Sequence, residues 1–146
     1  MRDSQRSKVY DWERAMPWWD DYAHGTSRPT YMTLAECRKM IKAMLGRYRC
    51  QMVQVKVARG KGSNAGAKVI RLSEQHHKKS VVIHETAHTI CVQRHMGDFH
   101  GPVFMRVYIE LLATYIPTDK AGLLKSARGF GGLKVAAWKE TKGAVL

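Results

Sequence analysis

The sequence predicts an α+β fold, with helices packed on a small β-sheet, and three observations carry that reading. The chain has 146 residues, the usual size of one domain built around one core. Three segments repeat apolar residues at helical spacings of three and four, and short β-rich runs bounded by glycines lie between the first two. With 45% apolar and 25% charged residues, the composition excludes wholesale disorder.

Residues 1–32 read as an irregular N-terminal arm with room for a short helix. Trp12, Trp18 and Trp19 lie among Asp and Arg residues, and Pro17 and His24-Gly25 act as breakers. Tryptophans of this kind more often anchor on a core than stack on bases. The core is expected over residues 33–117. Thr33 and Glu36 form a Thr-x-x-Glu capping box, after which Leu34, Cys37, Ile41, Met44, Leu45 and Tyr48 mark a helix ending near 47–49. Met52, Val53, Val55 and Val57 predict a strand over 51–58. Gly60, Gly62, Asn64 and Gly66 supply turn chemistry, and 67–72 reads as a second strand. A hairpin with a long basic loop is the simplest arrangement. That loop could wrap a phosphate, although it matches no P-loop.

A second helix is expected over 80–95, carrying Ile83, Ala87 and Ile90 on one side and broken by Gly97-Asp98. Pro102 suits the first position of a third helix. There Phe104, Val107, Tyr108, Leu111, Leu112 and Tyr115 form an apolar stripe that Pro117 ends. Residues 118–146 read as a basic, glycine-containing tail with room for a short helix or strand and a mobile end.

No stretch approaches the roughly 18–20 uncharged apolar residues of a membrane span, and the opening MRDSQRSKVYDWER lacks the apolar run of a secretory signal. A cytoplasmic location and no membrane partner are expected. Cys37, Cys50 and Cys91 are an odd number without C-x-x-C spacing, which argues against a disulfide framework or a cysteine-built zinc ribbon. The formal net charge is +13, and residues 41–80 hold ten Lys and Arg against the single acid Glu74. Such concentration is the electrostatic footprint of a polyanion partner, most often nucleic acid.

His84-Glu85-Thr86-Ala87-His88 is an H-E-x-x-H motif inside the second core helix. Histidines at i and i+4 project from one face, so both imidazoles can reach one Zn²⁺. Glu85, rotated about 100° around the axis, can stand beside the metal and accept a proton from its water. With seven His and six Glu in the chain, chance produces this pattern in roughly one chain in a hundred.

A catalytic zinc normally has three protein ligands and one open position. His95 lies about 10 Å farther along the same helix, too far to share the ion. Glu110, the thermolysin-like choice, points about 130° from the apolar stripe and is expected to face solvent. His100, between the Gly97-Asp98 break and Pro102, can swing back over the first helix and is the expected third ligand. The metzincin pattern is excluded, because Cys91 stands where it wants Gly and Arg94 where it wants His.

His84-Glu85-Thr86-Ala87-His88 followed by His100-Gly101-Pro102-Val103-Phe104 resembles the signature of the SprT-like (Spartan-type) zinc metallopeptidases. These carry H-E-x-x-H, a variable spacer, and H-G-P-x-F at a helix start. The resemblance covers roughly residues 33–116 and implies a zincin-like minimal metalloprotease domain. It implies His84, His88 and His100 as zinc ligands and Glu85 as general base in peptide-bond hydrolysis. Members with known roles act on DNA-associated proteins, and small stand-alone versions occur in bacteria and bacteriophages, so a protein or peptide substrate and a bacterial or phage-infected cell are implied. The spacer is shorter here than in the better-known members, and no Cys pairs follow Cys91. The contrasting expectation is a DNA-binding or virion-associated protein with a structural or silent zinc. Tyr108 and Tyr115 could donate to an oxyanion, but their place in the stripe favours the core.

Overall fold

The computed structural model describes residues 3–19, 31–60, 62–73, 77–96 and 99–137. Five helices surround a three-stranded sheet: α1 (Arg6–Ala15), α2 (Leu34–Arg47), β1 (Gln54–Ala58), β2 (Asn64–Ala65), β3 (Val69–Ser73), α3 (Lys79–Gln93), α4 (Pro102–Tyr115) and α5 (Lys120–Gly129). The class is α+β. Among the described residues no helix is long and apolar enough to cross a membrane.

The capping box forms as its spacing predicts. Glu36 N–H donates to Thr33 Oγ1 at 3.1 Å, and Thr33 N–H donates to Glu36 Oε1 at 3.0 Å. From that start α2 buries Cys37, Met40, Ile41, Met44 and Leu45, one stripe at spacings of three and four.

The sheet departs from the expected hairpin. Its order is β1-β3-β2, with β1 and β3 parallel and β2 antiparallel to β3. Val55 and Ile70 are register partners and both are buried. Alternation fixes which side chains face inward but is blind to strand direction, so the same apolar pattern serves either pairing. The glycine-bearing connection runs back along the sheet and inserts the short β2 at the edge. Lys61 of that loop lies outside the described residues.

Helix α3 runs through the middle of the molecule. It buries Val82, Ile83, Ala87 and Ile90, and with them the polar Thr86 and Thr89. Each threonine hydroxyl is satisfied: Thr86 donates to Val82 O at 2.7 Å and Thr89 to Gly66 O at 2.8 Å. The second bond ties the loop beside β2 to the helix. α4 starts with Pro102 at its first turn and buries Phe104, Met105, Val107, Tyr108, Ile109, Leu111 and Leu112.

The N-terminal arm and the C-terminal tail each contain one helix among the described residues, for which the sequence leaves room. Ten residues of the N-terminal segment form α1, which buries Val9, Trp12 and Glu13. Trp12 is fully buried and its indole donates to Ser126 Oγ at 3.1 Å, so it anchors on the core and on α5. Beyond α5, Ala136 N–H donates to Pro102 O at 2.9 Å, laying that segment across the start of α4. The His24-Gly25 and Gly97-Asp98 breakers and the end of the tail lie outside the described residues.

Candidate metal centre

Helical geometry places His84 and His88 one turn apart on α3. The third histidine arrives through the turn between α3 and α4. That turn holds two non-glycine residues in the left-handed region, His95 (φ 54°) and Phe99 (φ 58°). Such backbone costs of order 1–3 kcal/mol per residue and tends to collect at functional sites. Here it delivers His100, buried, over α3. His84, His88 and His100 form a group able to hold a metal ion.

The three Nε2 atoms converge. His84 and His88 are 3.2 Å apart, His88 and His100 3.1 Å, and His84 and His100 3.3 Å. Metal–nitrogen bonds of 2.0–2.1 Å in a tetrahedron put neighbouring nitrogens about 3.3–3.4 Å apart, close to this spacing. On the far side of the rings, His100 Nδ1 lies 2.8 Å from Asp3 Oδ2 and His84 Nδ1 lies 3.0 Å from Glu13 Oε1. The His84 contact is off the ring's N–H axis, so charge rather than an aligned hydrogen bond holds it. With Asp3 Oδ2 on its Nδ1, His100 keeps its proton there and turns a bare Nε2 lone pair towards the nitrogens of the other two rings, where lone pairs repel. A cation among the three nitrogens resolves that repulsion. The donor set therefore fits a metal, and imidazoles suit zinc among several transition metals.

Burial pushes the His88 imidazole down to about 2, helped by repulsion from His84 and His100, so this ring stays neutral and free to ligate. Burial also lowers His100, partly offset by its hydrogen bond to Asp3. For His84 burial acts downward, but the nearby charge of Glu13 outweighs it and raises the ring. Burial lifts the Glu85 carboxyl to about 6, with Glu13 adding to it and His84 opposing. That is the range in which a carboxylate exchanges protons near neutrality.

A cleft of about 800 Å³ opens over the group, lined by Glu85, His88 and His100 with Asn64 and Ala65 of β2. Phe99 and Val92 border it and are 52% and 45% exposed. A second cleft of about 500 Å³ lies against Glu85, His84, Tyr10 and Arg14. Tyr10 lies over the rings, stacked on His84 at 5.9 Å and edge-on to His100 at 5.1 Å.

The other ligands considered from sequence lie elsewhere. His95 is exposed at the end of α3 and outside the group. Glu110 is half-buried rather than solvent-facing, because Arg106 (3.2 Å) and Lys120 (3.2 Å) both hold it. Tyr108 is fully buried, and its hydroxyl donates to Glu13 Oε2 at 3.1 Å. Tyr115 is half-buried against the core.

Sequence reasoning missed Asp3, Tyr10 and Glu13. Asp3 carries no local signal. Glu13 does: it falls at i+4 from Val9 and next to Trp12, so an acid occupies the apolar stripe of α1. Several basic residues of the 41–80 segment are exposed. Lys56 and Arg71 are register partners on the exposed face of the sheet, and Lys42, Arg47 and Arg49 are exposed on and just after α2.

No family model, no curated protein and no solved structure matches this chain.

Proposed function

We propose that this protein is a zinc-dependent metallopeptidase of zincin-like architecture, akin in its site to the SprT-like enzymes. The observation that carries the reading is the convergence of three imidazole nitrogens within 3.1–3.3 Å, with a buried glutamate beside them in an open cleft. Zinc held by His84, His88 and His100 supplies Lewis acidity, polarising an amide carbonyl and making a water easier to deprotonate. Glu85 accepts the proton of the attacking water and passes it to the leaving amine, a role suited by its buried place beside the histidines in the cleft wall. The cleft receives the peptide, and the exposed Phe99 and Val92 offer apolar contact to its side chains. A closed structural zinc needs four protein ligands, and among the described residues the group contains three.

The basic outer face of the sheet supports substrates associated with nucleic acid, since clustered Lys and Arg neutralise phosphate. The same face favours a second reading, a nucleic-acid-binding protein whose zinc is catalytically silent. One experiment separates them. The wild type should hydrolyse casein, alone or with DNA present, while Glu85→Gln should retain zinc and lose hydrolysis. A wild type that binds zinc and DNA, with affinity falling steeply with salt, yet cleaves nothing would establish the silent-site reading instead. Equal hydrolysis by Glu85→Gln would remove the role given to Glu85.

A further inference from the structure

Two of the three imidazoles meet a carboxylate from the same short stretch at the chain's N-terminus. Asp3 takes His100 with both oxygens, accepting the backbone N–H at 3.3 Å on Oδ1 and facing Nδ1 at 2.8 Å with Oδ2. Gln5 adds a donor to His100 O at 3.0 Å. Glu13, fully buried one α1 length away, faces His84 Nδ1 at 3.0 Å and accepts from the Tyr108 hydroxyl at 3.1 Å. Among the described residues no carboxylate lies within ion-pair distance of His88. Burying an unpaired carboxylate is costly, so Glu13 at this spot needs a positive centre nearby.

We propose that Asp3 and Glu13 are positioning residues of the metal centre, which makes helix α1 a working part of it rather than a flanking arm. Asp3 fixes the His100 ring proton on Nδ1 and so aims a bare Nε2 inward, Glu13 holds the His84 ring by charge, and together they offset the two positive charges of the ion. Outer partners of this kind are worth about 10–100-fold in metal affinity. The inference rests on the metal-binding half of the proposed function and is independent of whether peptides are cleaved.

The test uses the full chain and Zn²⁺ in competition with a chromophoric chelator. Asp3→Asn and Glu13→Gln should each weaken zinc by about 10–100-fold, while Asp11→Asn, an exposed acid on the same helix, should leave affinity within about twofold of wild type. Ring-nitrogen NMR of the metal-free protein gives a readout that mere loss of packing would not reproduce. In folded Asp3→Asn, whose native side chain is 23% exposed, the His100 proton should move from Nδ1 towards Nε2. Unchanged affinity and an unchanged tautomer in Asp3→Asn would overturn the proposal. A wild type that binds no Zn²⁺ would overturn both this inference and the metal centre. Tight zinc binding with the expected losses in the variants, but no hydrolysis, would uphold this inference and sink the peptidase reading.

Discussion

Helices α3 and α1 both serve the histidine cluster, and they do so by different routes. On α3 the chemistry is local: His84, Glu85 and His88 lie within two turns, and the pitch of the helix alone aligns the two rings. On α1 nothing is local. Glu13 on α1 and Asp3 just before it meet their rings where Val9 and Trp12 bury one face of the helix against the core. A motif thus fixes the ligands, whereas packing fixes what surrounds them.

The largest expected effect tests the local half. His100→Ala should weaken zinc by more than the roughly 100-fold that a change outside the ligands can cause, and His95→Ala should leave it unchanged. Chelator competition checks both, and equal losses would mean that the wrong ring has been assigned.

The distant half depends on its anchor. Trp12→Ala removes a fully buried indole and should lower stability by about 3–5 kcal/mol in urea unfolding. It should also cost zinc affinity in whatever fraction remains folded, since Asp3 and Glu13 travel with the same helix. Zinc affinity that is indifferent to Trp12 would break the contrast between the two helices.

A smaller effect concerns Glu85 in the metal-free protein. Its carboxyl is held at about 6 against an ordinary 4.5 by burial, so the folded state binds that proton more tightly than the unfolded chain. The stabilisation is therefore complete below about pH 4.5 and lost as pH rises through about 6, a difference of about 2 kcal/mol. Glu85→Gln should make the zinc-free protein more stable by up to that amount at pH 8 and no more stable at pH 4. Urea unfolding at the two pH values checks this, and a pH-independent difference would point to packing instead.

How much was legible in the sequence follows the same division. The α2 cap, the α2 and α4 stripes and the His84–His88 pair came from short-range spacing, which helix geometry converts directly into position, while His100 came from the helix break before Pro102. Parallel pairing of β1 with β3 did not, because Val55, Ile70 and Leu72 point inward whichever way the strands run. The N-terminal segment was opaque because its charged residues mask an apolar face of only Val9 and Trp12, and Asp3 finds its partner 97 positions away. Glu110 was misjudged for a related reason. Its spacing put it off the stripe, but Arg106 and Lys120 cover it.

The long reach of Asp3 has a kinetic consequence. During synthesis the first acids of the chain emerge long before residue 100 exists, so they must wait, unpartnered, while the helices around the sheet form. If the Asp3–His100 contact also forms late in folding, Asp3→Asn should speed unfolding and leave the folding rate unchanged, which folding and unfolding kinetics check. A metal ion held by these histidines would then act as a closing clasp, doing little to speed assembly and much to prolong the life of what has been assembled.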